Sequence, residues 1–183
     1  MNKKEQIIET AIELFAIHGI EKTSINAICK QSNVSKGLVF HHFKNKNELL
    51  KEVFIRMDQI ISDVNSSIDH SLPAKERLVQ LLEKIFAAMA SDEHQIFYRL
   101  HYQLSTQPAI RSILTDLIED RRKVMLDSIK SIFNEIPGAD GVVGSHMIVA
   151  EIDGIALNYV FSCEDFPLEK IKDVFIKKHL SLL

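Results

Sequence analysis

TSINAICKQSNVSKGLVFHHFKNKNE, residues 23–48, is the stretch whose reading decides the fold. Thr23 suits the N-cap of a helix running to about Gln31, since its hydroxyl can accept from a first-turn amide. Ile25, Ile28 and Cys29 then share an inward face. Asn33 follows, a residue that tolerates left-handed backbone, and Val34 supplies an apolar plug. Ser35 caps a short third segment in which Val39 and Phe43, four apart, face the core. Two short helices across a tight turn make a helix-turn-helix.

The same stretch carries charge of one sign. From Lys22 to Lys46 there are five lysines (Lys22, Lys30, Lys36, Lys44, Lys46) and no carboxylate, although the whole chain is net −3. Exposed charges further apart than roughly 8 Å are screened from one another at physiological salt, so a docking polyanion responds to the patch more than to the total. Asn45, with Glu48 three residues on, approximates a capping box for a fourth helix. The free amides of that helix start, with Lys44 and Lys46, favour a phosphate. These residues predict a module that docks on DNA.

Working outward, Lys3 to His18 reads as a helix with Ile7, Ile8, Ala11, Leu14, Phe15 and His18 on one face, and Gly19 fits a left-handed C′ stop. The fourth helix is expected to run from Lys46 to about Ile68, ended by Leu72-Pro73. Residues 1–50 hold seven Lys/Arg against five Asp/Glu, and the remainder 15 against 20. That shift predicts a head of residues 1–50 and a helical body of residues 51–183. Further helices are expected over 74–90, 92–104, 108–133, 141–161 and 168–180, making an all-α chain of about nine helices with no strand pattern. The eighth is apolar almost all round and needs cover on more than one side. A second subunit supplies it, so a homodimer through the eighth and ninth helices is expected, with Leu180, Leu182 and Leu183 at the end.

There is no run long enough for a membrane span and no signal-peptide core. Cys29 and Cys163 are expected to be reduced thiols of a cytoplasmic protein. Lys22-Thr23-Ser24 matches the end of a phosphate-binding loop, but Glu21 occupies the position of the needed glycine. HExxH and GxSxG are absent, and no histidine pair has i, i+4 spacing, so no catalytic residue, cofactor or metal site is expected. An enzyme and a protein-interaction adaptor that lost DNA binding are the rival classes.

Several spaced segments resemble the DNA-binding region of tetracycline-repressor-type (TetR) transcriptional regulators: Ala11-Ile12-Glu13-Leu14-Phe15, Gly19, Thr23-Ser24-Ile25, Ile28, Val34-Ser35-Lys36-Gly37, His41-His42-Phe43-Lys44-Asn45-Lys46 and Glu48-Leu49-Leu50. The family usually has Thr at Leu38 and Tyr at Phe40 and His42. The resemblance implies that the third helix enters the major groove of a palindromic operator and the first helix braces it. Thr23, Ser24, Ser35, Lys36, Gly37, Leu38, His41, His42, Lys44 and Lys46 are then the candidate DNA contacts. Lys44 and Lys46 would anchor phosphates, and Gly37 would let backbone approach DNA. Leu38 either meets a thymine methyl or shields the core edge. Taken singly, each lysine is an ordinary solvated residue. The resemblance further implies repression relieved by a small-molecule effector held among the fourth to eighth helices, whose binding swings the fourth helix. Phe86, Met89, Tyr98, Tyr102, Met125 and Asn158 are its candidate contacts, and core packing is the plainer role for each. Glu151 and Asn158 form a polar stripe that needs partners.

Overall fold

The computed structural model describes residues 2–66, 68–161, 165–181 and 183, with the side chains of residues 60–66, 92, 93 and 105 outside that description. Cys163 and Leu182 therefore lie outside the described residues. The described residues form nine helices and no strand: α1 (Lys3–His18), α2 (Ile25–Gln31), α3 (Lys36–His42), α4 (Lys46–Ser66), α5 (Ala74–Ala90), α6 (Asp92–Thr106), α7 (Pro108–Asn134), α8 (Gly141–Phe161) and α9 (Leu168–Ser181).

α1 starts at a capping box, with the Glu5 amide donating to Asn2 Oδ1 at 2.9 Å and the Asn2 amide to Glu5 Oε2 at 2.9 Å. It stops at Gly19, whose φ of +81° and ψ of 154° lie in a region open essentially to glycine alone. The stop was expected; the left-handed helical geometry was not what formed. Asn33 does adopt positive φ, +50°, at the α2–α3 turn.

Thr23 is a correction. Ser24, not Thr23, caps α2, accepting from the Ala27 amide at 3.1 Å. Thr23 is buried, and its hydroxyl lies within hydrogen-bonding distance of Leu14 O (3.1 Å) and Gly19 O (2.8 Å). Donating there ties the start of α2 to the last turn of α1, which capping α2 would not do.

The head core joins α1 (Ile7, Ala11, Phe15), Ile28 of α2, Val39 of α3 and Leu49, Val53 and Phe54 of α4. It does not end there. Phe97, Leu100 and Leu104 of α6 and Ile110 and Leu114 of α7 belong to the same cluster, and ion pairs Lys4–Glu52 and Glu9–Arg56, both 2.8 Å, tie α1 to α4. The charge boundary near residue 50 is thus not a break in packing. A second core gathers α5, the later half of α7, α8 and α9. There α8 approaches α7 so closely that a Cβ on Gly144 would lie 2.2 Å from the Phe133 ring. Only glycine fits at that contact.

Candidate functional site

Two features stand out, an outward cationic helix and a walled cavity, and α4 touches both. α3 turns Val39 inward at 0 % exposure and leaves Lys36, Gly37, Phe40 and His41 exposed, with Leu38 and His42 half-buried. Ser35 caps α3, accepting from the Leu38 amide at 3.1 Å, and it is exposed, as are Ser24 and Lys44. A Cβ on Gly37 would meet only Ser35 Oγ, at 3.9 Å. Nothing inside the chain requires glycine there, and the bare backbone leaves room for a partner to approach closely.

Two of the ten candidate DNA contacts are not presented as expected. Thr23 is turned inward, as described. Lys46 is half-buried, its ammonium bonded to Ile20 O across the α1–α2 loop, and burial lowers its pKa. A cation so engaged is a clamp between α4 and the end of α1 rather than a free phosphate anchor. Phe40, absent from the expected set, is 45 % exposed with the Lys36 ammonium 5.8 Å above its ring. An aromatic ring on the outward side of a short helix was the signal for it.

The cavity, about 560 Å³, lies among α4–α8. Of the six candidate effector contacts it takes Tyr98, Tyr102 and Met125 into its wall. Phe86 and Met89 are corrections: both are 0 % exposed in the second core, and Phe86 packs 5.5 Å from the Phe175 ring. Asn158 is also absent from the wall; it is exposed, and its amide donates to Gly154 O at 2.7 Å. Glu151 finds its partners on α9, Lys178 at 2.7 Å and His179 at 3.3 Å, so the polar stripe on α8 is satisfied within the chain.

The wall also carries polar groups that sequence reasoning missed: His101, Arg111, Arg121, Arg122, His146 and Asp153. Arg121 was findable. It occupies the apolar stripe of α7 between Leu114, Ile118 and Met125, where a charge is expensive. Its Nε lies 3.4 Å from Asp58 Oδ1 on α4, its Nη1 3.4 Å from His101 Nδ1, and its guanidinium 5.8 Å over the Phe54 ring. Burial raises the Tyr98 hydroxyl to about 12, so it stays a neutral donor. Burial, with Arg121 adding to it, pushes His101 down to about 4.

His101 is therefore neutral in the folded protein at pH 7. Below its unfolded value of about 6.5 the unfolded chain binds a proton that the folded chain refuses, so stability falls as pH drops from there towards about 4. The contribution lost is at most about 3 kcal/mol. Urea midpoints at pH 7 and pH 4.5 should differ less for His101→Gln than for wild type. Equal acid sensitivity in the two proteins would contradict this assignment.

Comparison with known proteins agrees with the geometry. Residues 7–53 match the family model described as bacterial regulatory proteins, tetR family. The fatty acid metabolism regulator protein of Bacillus subtilis is 28 % identical over 172 residues, covering 91 % of this chain and 88 % of that protein. A probable acrEF/envCD operon repressor of Escherichia coli is 30 % identical over 89 residues, 49 % of this chain and 40 % of that one. The crystal structure of the Bacillus subtilis transcriptional regulator FadR in complex with stearoyl-CoA superposes with a TM-score of 0.80 at 24 % identity, covering 98 % of each chain. The cationic α3 face thus lies within residues 7–53, the segment that matches the tetR family of bacterial regulatory proteins, on a chain that resembles those regulators over nearly its whole length.

Proposed function

We propose that the protein is a homodimeric repressor that holds a palindromic operator through α3 and lets go when an amphipathic acyl effector enters the cavity. One observation carries this reading: α4 contributes Leu49, Leu50 and Val53 to the head core and Phe54 to the cavity wall. Occupancy of the cavity therefore bears directly on the helix that carries the head. Because half-sites lie about 34–36 Å apart or multiples of that, a shift of a few Å between two heads abolishes simultaneous docking. Residues 1–50 form the DNA-contacting unit, working in the cytoplasm, and residues 51–183 the effector and dimer unit.

The dimer reading rests on α8. Val143, Met147, Leu157 and Phe161 are exposed by 53, 43, 37 and 50 % and fall on one stripe with Ala150 and Gly154 between them. Small residues at mid-stripe let a second helix approach closely, and a two-fold partner presents the same stripe. α9 adds Val174, 68 % exposed. The acyl class follows the relative's stearoyl-CoA complex and suits a wall made mostly of aliphatic and aromatic side chains.

Ser24, Ser35, Lys36, Gly37, Leu38, Phe40, His41, His42 and Lys44 form the DNA face. Lys44, exposed and without a carboxylate beside it in sequence, contacts phosphate. Lys44→Ala should flatten the log–log dependence of operator affinity on salt by about one per subunit. An unchanged slope would remove that contact. The whole reading is tested by selecting operators from random duplex DNA and adding palmitoyl-CoA to the mobility shift. Retention of a palindrome, released by the acyl ligand, is expected; no shifted complex at low salt would end it.

A further inference from the structure

Nothing so far says which chemical group an effector presents to the buried arginine. We propose that Arg121 is the anion anchor of the cavity, and that the carboxylate end of an amphipathic effector displaces Asp58 of α4 from it. This rests on the acyl-effector reading above and adds to it a recognition residue and a trigger.

Four observations lead there. First, the guanidinium side chain is 15 % exposed, and its contacts with Asp58 and with His101 are each 3.4 Å long. Charge-assisted N–H···O bonds are typically about 2.7–2.9 Å, so the Asp58 carboxylate sits further from this cation than a well-formed ion pair would. Second, the charged wall residues are Arg111, Arg121 and Arg122 against Asp153 alone, three positive to one negative. Such a wall favours an anion even with Asp153 drawing on Arg121 and Arg122. Third, the two partners of the ion pair are unequal. Asp58 is 43 % exposed and is readily solvated on release, whereas Arg121 is not. A carboxylate carried in by an apolar tail can make the shorter contact while Asp58 passes to water. Fourth, Asp58 lies one helical turn beyond Phe54, on the helix that carries the head core. The exchange is therefore felt on α4 itself.

The balance of charges is preserved throughout: one carboxylate leaves Arg121 and another arrives, with no proton transferred. A neutral ligand of the same length cannot drive the exchange, and that distinction is measurable.

The full-length protein should be titrated with sodium palmitate below its micelle concentration, with hexadecanol, and with palmitoyl-CoA, reading binding by calorimetry and operator release by anisotropy. Palmitate should bind about tenfold or more tightly than hexadecanol. Arg121→Gln should erase that preference while leaving hexadecanol affinity unchanged, which also reports an intact cavity. Asp58→Asn, which removes the competitor, should tighten palmitate and weaken operator binding without ligand. If Arg121→Gln loses hexadecanol too, Arg121→Lys decides: it keeps the charge and should keep part of the preference. Undiminished palmitate binding by Arg121→Gln, unchanged palmitate affinity in Asp58→Asn, or equal treatment of the two ligands by Arg121→Lys overturns the anchor. If palmitoyl-CoA, whose thioester carries no carboxylate, releases DNA while Arg121→Gln binds palmitate as wild type does, the acyl-effector reading survives and the anchor alone falls. If none of the three probes binds, both fall.

Discussion

Placing charge on the exposed stripe of α8, by Met147→Glu together with Leu157→Glu, should leave a monomer whose operator affinity is lower by a factor of about 10²–10⁴. The two positions are ten residues apart on one helix, and a two-fold interface repeats each of them, so four carboxylates would face one another across an apolar contact. Both side chains already meet water in the single chain, at 43 and 37 % exposure, and although Leu157 also borders the cavity, the subunit fold does not depend on burying either. The loss of affinity comes from the second head. Once one α3 is docked, the other is held near its half-site at a high effective concentration, and a monomer forgoes that advantage. Sedimentation and operator titration read the two halves of the prediction. A double variant that still sediments as a dimer, with wild-type operator affinity, would move the interface elsewhere.

The second large effect is on stability. Phe15 is 0 % exposed and sits where α1 meets the rest of the head core, with the Lys46 ammonium 5.9 Å from its ring. Phe15→Ala should cost about 3–5 kcal/mol, against a usual total of about 5–15 kcal/mol. For a chain of this length that corresponds to a melting point lower by about 6–20 °C. Because the head cluster continues into Phe97, Leu100 and Leu104 of α6, the whole unfolding transition should move. Circular dichroism in urea at fixed protein concentration shows whether it does. An early, partial loss of helix followed by an unshifted main transition would mean that the head unfolds alone.

The shared core also explains what was and was not legible in the sequence. The starts and stops of α1, α4, α5 and α8 came from local chemistry, namely Gly19, the prolines and three- and four-residue apolar spacing, and such signals survive folding. α6 runs two residues beyond the expected Leu104, to Thr106, because the next break in the chain is Pro108 rather than a polar residue. The domain boundary was drawn from charge, which records what the surface meets. Packing ignores it and carries α6 and the start of α7 into the head.

Choosing between Thr23 and Ser24 as a cap could not be done locally. Both carry hydroxyls, and the decision depends on where the carbonyls nine and four residues upstream come to lie. The cavity was half-legible for a related reason. Phe86, Met89, Tyr98 and Met125 all lie on inward faces, and whether such a face meets a filled core or a gap depends on how far neighbouring helices diverge. Arg121 did announce itself, as a charge on an apolar stripe, but the candidate contacts were aromatic and sulfur side chains and the Asn158 amide.

The proposed repressor presents α3 outward in two copies related by a dyad. Hydroxyl-radical footprinting of the operator selected from random DNA tests this most directly. The prediction is two protected half-sites, symmetric about a centre and separated by whole helical turns, at a stoichiometry of two subunits or a multiple of two. A single asymmetric footprint bound by one subunit would contradict it.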